Sequence, residues 1–262
     1  MTALFVGKLV ANMPATDQNT MYIAIVIAIL GLMIGFAKGG FGGLGALLTP
    51  ILALVLPVAS AVGVLLPMLM VGDAFALSMY WKEWDADLVR RMLPAGIAGA
   101  ITGTFLLSWL SPNHLRVILG IFVLLVVVYK FASDRIQTIR YVSKPWHGPL
   151  AGLLAGLASG MFNSGGPPFN SYLLLQKVSA RPFIATSAIY FSVLNLVKMP
   201  GFLYTGVLDL SLLLSLWWVF LFIPLGIWVA RATLIHISPL LFERIITILL
   251  IFSSLWLFWQ SR

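Results

Sequence analysis

Long apolar runs alternate with short polar connections along most of the 262-residue chain. Apolar elements are predicted at 21–37, 44–56, 58–81, 88–110 and 113–132. A polar linker at 133–146, with Asp134, Arg135, Arg140 and Lys144, separates them from a second series at 147–162, 166–176, 182–205, 209–231 and 239–260. Some, such as 21–37 and 245–259, carry no charge over a length that crosses or nearly crosses the hydrocarbon core. The pattern predicts an all-α polytopic membrane protein with eight to ten membrane helices. Its expected parts are an interfacial N-terminal segment at 1–20, a first transmembrane repeat at 21–132, a cytoplasmic linker at 133–146 and a second repeat at 147–262.

Two apolar stretches are interrupted. Lys38-Gly39-Gly40-Phe41-Gly42-Gly43 breaks the first, and Ser159-Gly160-Met161-Phe162-Asn163-Ser164-Gly165-Gly166-Pro167-Pro168 breaks the sixth. Glycine and proline end a helix and free backbone groups that lipid cannot satisfy. Breaks of this kind survive where the freed groups line an enclosed cavity, and a pair in corresponding halves points to a transport site.

Landmarks recur at a near-constant offset. Phe41 matches Phe162, Asp73 matches Asn195, Gly103 matches Gly226, Asp85 matches Asp209, and Ser111-Pro112 matches Ser238-Pro239. Each half then reads as a Gly/Pro-broken pair of short segments followed by three longer spans, an internal duplication. With the linker placed in the cytoplasm and Lys38 and Lys198 counted as intramembrane, inverted repeats put 11 Lys and Arg inside and 3 outside. Parallel repeats give 9 against 5. The positive-inside bias favours inversion.

Composition agrees: 61% of residues are hydrophobic and 9% charged, against roughly 25% charged in soluble domains. The net charge of +8 sits in short connections, with no basic helix face to follow a nucleic acid, so topology explains it. Without cysteine there are no disulfides or thiolate metal sites. The histidines His114, His147 and His236 show no metal-ligand spacing, and no P-loop is present, so neither metal nor cofactor nor nucleotide is expected. Trp81, Trp84, Trp109, Trp146, Trp256 and Trp259 fall near predicted span ends, as interfacial anchors do.

A small anion suits the candidate site. Lys38 stands before the first break, where its ammonium and the N–H groups of Gly40, Phe41, Gly42 and Gly43 converge on one spot. Asn163, Ser164, Gly165 and Gly166 bring donors from the second break. Asn195 and Lys198, three residues apart, share a helix face. Asp73, at the position equivalent to Asn195, is a candidate proton carrier, a partner for Lys38 or a structural hydrogen-bonding group. Gly96, Gly99 and Gly103 read as a helix-packing face. No nucleophile–base constellation suggests an enzyme.

Those motifs resemble the sulfite exporter TauE/SafE family. The residues that carry the resemblance are Gly35, Lys38 to Gly43, Pro50, Pro67 and Asp73 in the first half. In the second they are Gly160, Phe162, Gly165 to Pro168, Ala185-Thr186, Asn195, Lys198 and Gly206. The resemblance implies a secondary transporter in a bacterial inner membrane. It would export sulfite or organosulfonates such as sulfoacetate by alternating access, with Asp73 the proton-coupling candidate. Expected partners are the anion and the lipid bilayer, with association between copies of the chain left open. An anion channel would use the same residues, and a non-transporting assembly subunit is a further alternative.

Overall fold

The computed structural model of the protein describes residues 17–38, 45–136, 142–209, 214, 217–233 and 239–260. These form α1 (Asp17–Lys38), α2 (Gly45–Leu52), α3 (Val58–Met79), α4 (Ala86–Trp109) and α5 (Pro112–Ile136). The second half forms α6 (His147–Phe162), α7 (Gly166–Leu175), α8 (Ala180–Tyr204), a 3₁₀ turn (Trp217–Leu221), α9 (Phe222–Thr233) and α10 (Pro239–Gln260). Among the described residues there is no strand. By length and composition, α3, α4, α5 (Pro112–Lys130) and α8 are long and apolar enough to cross a membrane. The protein is an all-α polytopic membrane protein.

Local chemistry sets the ends. Asp85 caps α4 by accepting hydrogen bonds from the N–H groups of Asp87 and Leu88. Asn163 ends α6 in the left-handed region at φ 52, a conformation asparagine tolerates better than most side chains. Pro167 and Pro168 then open α7, where their missing donors cost nothing. The structure departs from the expected elements in two places. No glycine or proline lies between Ile121 and Ile136, and α5 runs on into the expected linker. The expected 209–231 span contains Pro224, which cannot donate to the Phe220 carbonyl, and the chain changes there from 3₁₀ turn to α-helix.

Each half lends its fourth helix to the other. α4 packs along α6, and its equivalent α9 packs along α1. One lateral core therefore joins α1, α2 and α3 to α9 through Leu30, Ile34, Leu48, Leu65 and Ile223. Its counterpart joins α6, α7 and α8 to α4 through Ala155, Phe169, Tyr190 and Met92. Between them α3 crosses α8, α5 crosses α10, and a central core includes Leu66, Leu119, Phe162, Phe202 and Leu250. Glycines make the exchange possible. A Cβ on Gly99 or Gly103 would strike the backbone of α6, one on Gly156 the Gly96 carbonyl, and one on Gly35 or Gly226 the backbone of the facing helix. Gly96 differs from the expected backbone crossing, because its α-carbon also faces the Tyr190 ring.

Inversion follows from two contacts. Gly63 abuts Val207 while Asp73 meets Asn195, so the equivalent helices α3 and α8 run antiparallel. Arg181, just inside α8, bonds Glu83, just beyond α3, at 2.9 Å. Parallel repeats would put those two loops on opposite sides of the membrane.

The outer surface is apolar. Phe105, Leu125, Val128, Phe252 and Leu255 are exposed on α4, α5 and α10, as lipid-facing side chains are. Trp81, Trp109, Trp146 and Trp259 are exposed at helix ends, where the interfacial belt was expected.

Candidate functional site

A cavity of about 130 Å³ lies where the end of α1, the start of α2 and the second break meet α3 and α8. It has room for several waters, or a compact ion. Lys38, Asp73, Asn163, Gly165, Gly166 and Asn195 line it, all residues the sequence singled out. Gly40, Phe41, Gly42 and Gly43 lie outside the described residues.

Lys38 does not reach the interface. Its ammonium pairs with the Asp73 carboxylate and stands 5.9 Å from the Phe191 ring centroid. The two sides of the pair differ in access: the Lys38 side chain is 19% exposed, the Asp73 side chain 1%. Asn195 Nδ2 donates to the other Asp73 oxygen at 2.8 Å. Asp73 thus holds one residue from each break-bearing half, and of its three expected roles the structure displays the partnership with Lys38 and the structural hydrogen bonding.

Lys198 is fully buried and is absent from the cavity wall. It donates to Ser159 O at 3.1 Å, Ser159 Oγ at 3.0 Å and Asn163 Oδ1 at 2.8 Å. Asn163 Nδ2 in turn donates to Val62 O at 2.8 Å. The left-handed residue that ends α6 is therefore clamped between α8 and α3. Ser164 faces away from the cavity and donates to Phe162 O at 3.0 Å. Thr49 of α2 bonds the same carbonyl, which ties α2 to the second break.

Two polar atoms at the cavity have no partner among the described residues: Asn195 Oδ1 and Ser187 Oγ, both shielded from solvent. Buried polar atoms are rarely left so, and a ligand is one way to satisfy them. Ser187 and Asn170 are lining residues the sequence reading did not pick out, and Ser159 was read only as part of the second break. The signal for Ser187 was available, because Ser187, Phe191, Asn195 and Lys198 fall on one face of α8 at helical spacing. The start of α7 offers the N–H groups of Gly165 and Gly166, the next two residues being prolines.

The cavity lies on one side of the Asp73–Asn195 contact. Its α8 wall, Phe183 to Phe191, and Ala76 of α3 lead toward Glu83 and Arg181. On the other side Gly63 closes against the Val207 backbone. Lys82, Arg90, Arg91, Lys177 and Arg181 lie toward the Glu83 end, the end expected from the positive-inside bias to face the cytoplasm.

A family model described as sulfite exporter TauE/SafE matches residues 27–257. Comparison with curated proteins and with solved structures gives no match.

Proposed function

The chain belongs to the sulfite exporter TauE/SafE family, a multi-pass membrane transporter family, and on that premise we propose that it exports sulfite or small organosulfonates such as sulfoacetate. The site is the cavity between the breaks. The observation that carries the reading is the meeting there of Lys38, the Asn163 turn, the α7 start and two unpartnered polar atoms. Ammonium groups and helix-start N–H groups suit compact oxyanions.

Transport proceeds by alternating access in a bacterial inner membrane. The cavity on the cytoplasmic side receives the anion, and rocking one repeat against the other reopens the site beyond the Gly63–Val207 closure. We assign the coupled proton to Asp73, a reading supported by its burial: releasing Lys38 leaves its carboxylate in need of a new counter-charge. The assignment is to transport, not catalysis.

The test is sulfite and sulfoacetate flux in proteoliposomes of the purified protein, with and without an imposed pH gradient. Saturable flux with counterflow supports the carrier, and its response to the gradient decides proton coupling. Unitary currents without counterflow would make it a channel. No flux from folded protein that co-purifies with another membrane protein would leave an assembly subunit.

A further inference from the structure

We infer that this site selects a singly charged anion and rejects a doubly charged one of the same size. The inference rests on the export reading above and narrows its substrate class.

Charge at the cavity is unusually simple. Lys38 and Asp73 are the charged residues among those lining it, and they pair with each other. The segment between Lys38 and Gly45 is uncharged: Gly39, Gly40, Phe41, Gly42, Gly43 and Leu44. Lys198 stands immediately behind the wall, bonded to Asn163, which does line the cavity. Its partners are three neutral oxygens, and no carboxylate forms an ion pair with it among the described residues.

The formal charges of Lys38, Asp73 and Lys198 leave an excess of one positive charge. A lone charge in a low-dielectric interior is costly unless something balances it. One negative charge in the cavity brings the site to neutrality. A second would leave a net negative charge in the same enclosure, beside the Asp73 carboxylate. Hydrogensulfite and simple alkyl monosulfonates fit this description; the narrowing removes sulfoacetate, which carries two charges, from the substrates proposed above. The orphaned Asn195 Oδ1 adds a direction to the preference: as an acceptor it favours an anion that still carries a proton to donate, such as hydrogensulfite.

Methanesulfonate and sulfate separate charge from shape, being tetrahedral, similar in size and fixed at one and two negative charges near neutral pH. Equilibrium binding to the purified protein in detergent and flux in proteoliposomes should both favour methanesulfonate by about tenfold or more. Sulfate is also harder to dehydrate, so the deciding readout is Asp73→Asn, which raises the excess to two positive charges. The ratio should move toward sulfate by about tenfold, whereas a hydration preference alone would leave it unchanged. Lys198→Met, which removes the excess, should weaken methanesulfonate binding while sulfate stays excluded, and it serves if Asp73→Asn does not fold. Equal affinities in the wild type, or ratios unmoved in both variants, would overturn the inference and keep the carrier. Flux of neither anion nor of sulfite, with no binding, would overturn the export reading itself.

Discussion

Asp73 and Asn195 occupy equivalent positions in the two repeats and bond directly to each other, Asn195 Nδ2 donating to Asp73 Oδ2 at 2.8 Å. They meet because α3 and α8 cross antiparallel between the two lateral cores. Position 73 is a carboxylate that anchors Lys38, and position 195 an amide whose second polar atom is left for the cavity.

Removing Lys38 should be worse for the fold than removing its partner. Lys38→Met strands a carboxylate that is 1% exposed, whereas Asp73→Asn strands an ammonium that is 19% exposed and able to draw water. A cost of about 3–5 kcal/mol is expected for Lys38→Met, and less for Asp73→Asn. The double variant should recover most of the thermal stability in detergent but not transport. Equal melting temperatures for both single variants would refute the pairing.

Ser187→Ala should act on substrate and not on the fold. The hydroxyl has no partner, so its loss costs no internal hydrogen bond. The half-saturating anion concentration should rise by about three- to tenfold, about 1 kcal/mol, at unchanged melting temperature. A drop in stability with unchanged half-saturation would assign Ser187 to packing.

The exchanged fourth helices make a sharp steric prediction. Gly156→Val and Gly35→Val drive a side chain into the backbone of α4 and α9 respectively, and each should cost about 1–3 kcal/mol or prevent assembly. Gly45→Ala is the control, since nothing lies within 4 Å of its added Cβ. Its melting temperature should hold or rise slightly.

Arg181 and Glu83 are 70% and 33% exposed, so Arg181→Ala should change stability by no more than about 1 kcal/mol. The pair bridges the two halves at the cavity end of α3 and α8, so the effect belongs in access, not folding. The chain has no cysteine, which makes a single Phe183→Cys label specific. Its labelling rate from the cytoplasmic side should change when Arg181 is also replaced.

The same background tests inversion. Lys82→Cys and Lys177→Cys should both label from the cytoplasmic side, and Asn113→Cys from the other. Labelling of Lys82→Cys and Lys177→Cys from opposite sides would restore the parallel arrangement.

Apolar run length, the two Gly/Pro breaks and the Lys/Arg imbalance determined the membrane class, most of the helix positions and the expected direction of the repeats. These are local or cumulative properties: helix breaking belongs to the residue itself, and topology sums over loops. The pairing of Asp73 with Asn195 was visible in sequence only as equivalence, not as contact. Tertiary structure decided that α4 and α9 change sides, because close helix approach depends on which glycine faces which backbone. It also separated two intramembrane lysines that look alike in sequence. Lys38 enters the cavity on a carboxylate, while Lys198, on the face of α8 turned to α6, is buried against Ser159 and Asn163 and reaches the cavity through its charge alone. A side chain's role inside a membrane depends on what completes its hydrogen bonds, and those partners come from helices far apart in the chain.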